Sequence, residues 1–199
     1  MRKFEVCKGF ENAGVNLPVR STELSAGYDV EAIEDTIIPS IWKVFIDNIK
    51  IIPQEMKMNV KLSLPEDVMF YDESDYTVTP AHLAFKDDAI AISKGTLVKT
   101  GIKAYCESDE YVGLHNRSSS YNKLGLMLAN NSAVIDADYC GNDKNDGHIL
   151  LNFINFGFSE IKIEKGQKIA QAIFYKYIKT DNDKKSNTVR NGGFGSTGN

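Results

Sequence analysis

Several things are scarce in this chain, and each scarcity removes a class of protein. No stretch approaches the roughly 18 consecutive apolar residues that a membrane-spanning helix needs. The first ten residues, Met1 to Phe10, are interrupted by Arg2, Lys3, Glu5 and Lys8, so no secretory leader is read there. Cysteine is limited to Cys7, Cys106 and Cys140, an odd and widely spaced set without a Cys-x-x-Cys pair. That excludes a disulfide frame and suits a reducing compartment, so a cytoplasmic protein with no membrane partner is expected. His82, His115 and His148 stand far apart with no Cys or His at ligand spacing, which argues against a dedicated zinc site. A basic excess is also missing: 23 Lys and Arg face 27 Asp and Glu, for a net charge of −4. No broad nucleic-acid footprint is expected, although a local cluster of cations remains able to bind a small anion.

What is present is enough for a core. Hydrophobic residues make up 42% of 199, an ordinary share for a folded protein, and the length suits one domain or one domain with a large insertion. Short runs rich in β-branched and aromatic residues, separated by turn residues, predict strands at 4–8, 95–106, 111–114, 126–129, 149–156, 161–163 and 168–179. An all-β sandwich or barrel follows. Helical signal is confined to 40–49, where Ile41, Val44, Phe45 and Asn48 recur at helical spacing; the β-branched content fits a strand equally well. Between about 40 and 93 the pattern loosens and turn residues such as Asp72-Glu-Ser-Asp75 crowd in, so this stretch reads as an insertion on the β scaffold.

Five segments could carry chemistry. The last ten residues, Arg190-Asn-Gly-Gly-Phe-Gly-Ser-Thr-Gly-Asn199, place four glycines beside one cation and one aromatic. By itself such a tail is either a frayed end or a lid, with Arg190 clamping phosphate, Phe194 covering a base, and Gly195 and Ser196 approaching anionic oxygens. It is no nucleotide-triphosphatase loop, because no Lys precedes Ser196 and no helix can follow. Asn130-Asn-Ser-Ala-Val-Ile-Asp-Ala-Asp-Tyr-Cys-Gly141 reads as a strand entering a turn. If extended, Asp136 and Asp138 share a face and could bind metal or activate water; the alternative is two turn-forming aspartates. His115-Asn-Arg-Ser-Ser-Ser-Tyr121 offers Arg117, Ser118 and Ser119 as an anion clamp at a strand end. Ser25-Ala-Gly-Tyr-Asp-Val-Glu31 delivers Asp29 from a glycine turn, and Lys165-Gly-Gln-Lys-Ile-Ala-Gln171 puts a polar Gln171 in an apolar strand, where it needs a partner.

Taken in order, Ala26-Gly-Tyr-Asp29, Arg117-Ser-Ser119, Val134-Ile-Asp-Ala-Asp-Tyr139, Ile169-Ala-Gln171 and Gly193-Phe-Gly-Ser-Thr-Gly198 resemble the five motifs of the trimeric deoxyuridine triphosphatases. The resemblance covers about 1–39 and 94–199. It implies an all-β distorted jelly roll over 1–189, interrupted by the insertion at about 40–93, and a flexible glycine-rich arm over 190–199. It also implies a homotrimer whose active sites are shared between subunits. The implied reaction is hydrolysis of dUTP with Mg2+ to dUMP and pyrophosphate, which keeps uracil out of DNA and supplies dUMP for thymidylate. By resemblance Asp136 holds the attacking water, while Arg117, Ser118, Ser119, Gln171 and Arg190 hold phosphates. Tyr139 lies under the deoxyribose, Asn130 and the backbone at Val134 and Ile135 read uracil, and Phe194, Gly195 and Ser196 close from the tail. Mg2+ enters on the triphosphate with no direct protein ligand, and Asp29 is the outer-shell candidate. Three departures stand out: Ala133 where members carry Gly, Cys140 where they carry a basic or polar residue, and Arg190 one residue nearer Phe194 than usual.

Two other readings compete. A dCTP deaminase on the same scaffold would need a glutamate in the strand His148-Ile-Leu-Leu-Asn-Phe-Ile-Asn155, where Asn152 stands instead. A regulatory protein would bind a protein partner through the insertion, using aromatics such as Trp42, Phe45 and Tyr71.

Overall fold

The computed structural model describes residues 1–47 and 95–184 in full and, between them, the backbone of four short strands. The chain divides into two units, one formed by Met1–Ser40 with Gly95–Asn199 and the other by Ile41–Lys94.

The first unit begins with β1 (Lys3–Val6), β2 (Val19–Arg20), β3 (Tyr28–Glu31) and β4 (Thr36–Ile38). The second unit follows with α1 (Ile41–Asp47), β5 (Ile49–Ile52), β6 (Phe70–Tyr71), β7 (Val78–Thr79) and β8 (His82–Phe85). The first unit then resumes with β9 (Thr96–Lys99), β10 (Ile102–Tyr105), β11 (Glu110–Asn116), α2 (Ser118–Leu124), β12 (Leu126–Leu128), β13 (Ala133–Asp136), β14 (Leu150–Asn155), β15 (Ile161–Ile163) and β16 (Lys168–Lys176). The protein is therefore predominantly β, and among the described residues the named strands pair antiparallel.

The largest sheet of the first unit has the order β13-β11-β16-β3-β2; β12-β14-β9 forms a second sheet, and β1-β10 and β15-β4 are two-stranded. Alternation explains the core. In β14, Leu151, Phe153 and Asn155 are buried while Leu150, Asn152 and Ile154 are only half-buried, as expected of a strand with one inward face. Val30, Val112, Leu114 and Ile163 join this core. Asn155 is tolerated at 1% exposure because its amide donates to the carbonyls of Ile38 (3.2 Å) and Ser159 (2.8 Å) and its Oδ1 accepts from Gly157 N (2.8 Å).

Several expected boundaries shift. The run 95–106 is two strands, broken at Thr100-Gly101, and the run after Asn116 is a helix that the serine-rich sequence did not announce. Serine is a weak helix former, and α2 depends on tertiary setting more than on propensity. The ambiguous segment at 40–49 is helical over α1, where Lys43 and Asp47 pair at 2.6 Å across one turn. This helix leaves Trp42 48% and Ile46 67% exposed.

Candidate active site

Two of the phosphate-binding candidates, Arg117 and Gln171, converge on one buried carboxylate. Asp29, on β3, is 4% exposed. Its Oδ2 accepts from Lys168 Nζ at 2.9 Å and Ser21 Oγ at 2.6 Å. Its Oδ1 accepts from Gln171 Nε2 at 3.4 Å and lies 3.5 Å from Arg117 Nε. Arg117 also donates through Nη1 to the Lys168 carbonyl at 3.2 Å. Burial opposes ionisation of Asp29, yet the hydrogen bonds from Ser21, Lys168 and Gln171, with the charge of Lys168, outweigh it and hold the carboxyl below its usual range. The result is a fixed anion that presents two cations and an amide at one end of the sheet, an arrangement suited to phosphate.

Local backbone features make this convergence work. In a regular strand, residues 168 and 171 would point to opposite faces, but the register of β16 on β3 shifts between Lys168 and Ala170. Past that irregularity Gln171 pairs with Asp29 and Lys168 with Glu31, which puts both side chains on the face of Asp29. Gly27 leaves the necessary room, since a Cβ there would sit 3.2 Å from the Cβ and Cδ of Gln171. Arg117 caps α2 in extended conformation, with Ser118 exposed and Ser119 half-buried in the first turn, where backbone N–H groups lack helical partners.

The base and sugar candidates lie along β13 and in the turns that flank it. Asn130 is exposed in the turn before β13, Val134 is 55% exposed, and Ile135 and Asp136 are half-buried on β13. Asp136 pairs with Tyr111 across β11. The face shared by Asp136 and Asp138 does not exist: β13 ends at Asp136, and Tyr139 N donates to the Asp136 carbonyl at 3.0 Å, closing a turn that contains Asp138. Tyr139 is 5% exposed. Its hydroxyl donates to the His148 carbonyl at 3.0 Å and accepts from Asn145 Nδ2 at 2.9 Å, so it would meet a ligand through ring carbons.

Arg117 and Asp136 are far apart within the chain. Arg117 follows β11, whereas Asp136 pairs with Tyr111 near the start of that strand. Six residues of extended backbone separate the two levels by roughly 20 Å. Arg190, Phe194, Gly195 and Ser196 lie outside the described residues. Lys168 and Ser21 were missed as site residues, although Lys168 stands in plain view inside Lys165-Gly-Gln-Lys168.

A family model for dUTPase matches residues 82–198. The deoxyuridine 5'-triphosphate nucleotidohydrolase of Lactococcus lactis subsp. lactis is 34% identical over 199 residues, covering 100% of this chain and 98% of its own. The chain belongs to the dUTPase family. The dUTPase relative from Brucella melitensis biotype 1 is 39% identical over 107 residues, 52% of this chain and 64% of its own. The crystal structure of the Streptococcus mutans dUTPase superposes with a TM-score of 0.59 at 26% identity, covering 90% of this chain and 98% of that one. The dUTPase from phage phi11 of S. aureus, described as having a species-specific insert, shares the fold with a TM-score of 0.55 at 14% identity over 94% of this chain and 97% of its own. The Lactococcus match spans this chain from end to end, residues 40–93 included.

Proposed function

We propose that this chain hydrolyses dUTP at the α-phosphorus, releasing dUMP and pyrophosphate, in an active site assembled from more than one subunit of a trimer. The separation between Arg117 and Asp136 carries this reading. Near-attack geometry brings reacting atoms to within about 3.5 Å, so a water held by Asp136 and phosphates held by Arg117 of the same chain, some 20 Å away, cannot belong to one reaction. A neighbouring subunit's phosphate cluster brought beside Asp136 resolves the mismatch.

In that site Asp136 holds and polarises the attacking water. Its contribution is chiefly the positioning of that water. Arg117, Lys168, Gln171, Ser118 and Ser119 orient the triphosphate and balance its charge, which is most of what phosphoryl transfer asks of a protein. Tyr139 supports the deoxyribose through its ring. Asn130, with the backbone at Val134 and Ile135, reads uracil, and Arg190, Phe194, Gly195 and Ser196 close over the nucleotide from the tail.

Among the described residues no group of three or more His, Cys, Asp or Glu side chains could hold a metal ion. Mg2+ carried by the triphosphate would keep most of its waters, ask few protein ligands and neutralise phosphate charge. Asp29, already engaged by Ser21, Lys168, Gln171 and Arg117, is better suited to anchor the phosphate ligands than to meet the ion's waters. The cytoplasm is the compartment that fits a free-thiol chain acting on nucleotides; Cys7, Cys106 and Cys140 are all unbridged.

Pyrophosphate release measured with dUTP, dTTP, dCTP and UTP in the presence of Mg2+ tests the reading. Turnover should be fastest with dUTP, and sedimentation should give a trimer. No turnover of dUTP would overturn the assignment.

A further inference from the structure

The loop after Tyr139, residues 142–147, directs two of its side-chain hydrogen bonds at Tyr139. Asn142 Nδ2 donates to the Tyr139 carbonyl at 2.8 Å and to Asn145 Oδ1 at 2.8 Å. Asn142 Oδ1 accepts from the Asn145 amide at 3.2 Å, which sets the Asn145 side chain. Asn145 Nδ2 then meets the Tyr139 hydroxyl at 2.9 Å, while that hydroxyl donates to the carbonyl of His148 at the loop's exit. Both hydrogen-bonding roles of the hydroxyl are thereby filled from this loop and the residue that ends it.

The loop is itself anchored from two other parts of the chain. Asp146 Oδ2 accepts from Lys103 Nζ on β10 at 2.7 Å and from the Lys8 amide at 2.9 Å. Asp146 holds a left-handed φ of +59°, a conformation seldom kept without such anchoring. Gly147 follows at φ +81°, and a Cβ there would stand 2.6 Å from the Cys140 Cα, so the chain closes tightly behind Tyr139.

We infer that the 142–147 loop is a clamp that sets the rotation and depth of the Tyr139 ring, with Asn145 as the positioning residue, and that it tightens discrimination against ribonucleotides. The inference rests on the reading of Tyr139 as the deoxyribose platform. A ring held at its hydroxyl from two sides cannot withdraw to admit a 2′-hydroxyl, whereas without Asn145 the hydroxyl keeps only the His148 carbonyl and the ring can pivot about that one bond.

The test is the ratio of kcat/KM for dUTP to that for UTP, measured on the intact trimer. Asn145→Ala should lower this ratio about tenfold, the effect of one positioning hydrogen bond, mainly by raising UTP turnover. In a Tyr139→Phe background, where the hydroxyl is absent, Asn145→Ala should change the ratio no further. A merely structural loop would instead slow both substrates together and act additively with Tyr139→Phe, which would overturn the inference. Where Asn145→Ala does not assemble, Asn145→Ser makes the same comparison with a smaller change. Tyr139→Leu separates the two levels. If it leaves the ratio untouched, the platform reading fails and the inference with it. If it collapses the ratio while the Asn145 variants keep the wild-type value, the inference alone fails.

Discussion

Asp29 holds Ser21, Lys168, Gln171 and Arg117 together in the proposed phosphate site, and Asp29→Asn is the sharpest test of that role. The substitution keeps shape but replaces one accepting oxygen with a donating amide. On the Oδ2 side the amide would face Lys168, which cannot accept; on the Oδ1 side it would face Arg117, which cannot either. Since Lys168 is bound at 2.9 Å and Arg117 lies at 3.5 Å, the less costly orientation keeps Lys168 and releases Arg117. Breaking a fully buried ion pair costs about 3–5 kcal/mol. Here the Asp29 side chain is 2% exposed but Lys168 and Arg117 are 39% and 34% exposed. Both cations can turn to water, which reduces the expected loss to about 2 kcal/mol. For a chain of this length that corresponds to a fall in Tm of about 4–8 °C at fixed protein concentration. KM for dUTP should rise about tenfold as Arg117 loses its orientation, with a smaller change in kcat. The stability gap also has a pH signature. The folded pKa of Asp29 is depressed, so its contribution is complete above the unfolded value of about 3.9 and is lost as pH falls through the folded value. The gap between wild type and variant should be constant near neutrality and narrow below about pH 4. A variant with wild-type Tm and KM at pH 7 would refute the anchoring role.

Three further outcomes are expected. Asp136→Asn should keep nucleotide affinity while kcat drops by about 10²–10⁴, and unchanged turnover would remove Asp136 as the water-holding group. Burial pushes the pKa of His148 down, helped by the charge of Lys99, and its Nε2 accepts from Gly101 N at 2.9 Å. The unfolded chain therefore takes up that proton first, so stability is complete above about pH 6.5 and declines as pH falls towards the folded value. Melts between pH 7 and 5 should show a shallower decline in His148→Gln, and an identical slope would show that His148 is not responsible. Deleting 192–199 should leave the protein folded in the proposed trimer and slow dUTP hydrolysis; an equally active truncation would make the tail a frayed end.

Residue identity and order by themselves carried the family resemblance. Five motifs in sequence nominate an acid for water, an arginine with serines for phosphate, a tyrosine for the sugar and a glycine-rich arm, and the short alternating runs imply a β fold because side chains repeat every two residues along a strand. The tertiary structure decided what those residues can do together. The irregularity in β16 turns Lys168 and Gln171 to one face, so that Asp29 serves as an anchor for cations. The turn after β13 parts Asp138 from Asp136, and the 142–147 loop takes hold of Tyr139. Pairing along β11 sets Arg117 and Asp136 at opposite ends of one strand. Each of these depends on strand register or on bonds between residues distant in the chain, and local periodicity carries no record of either.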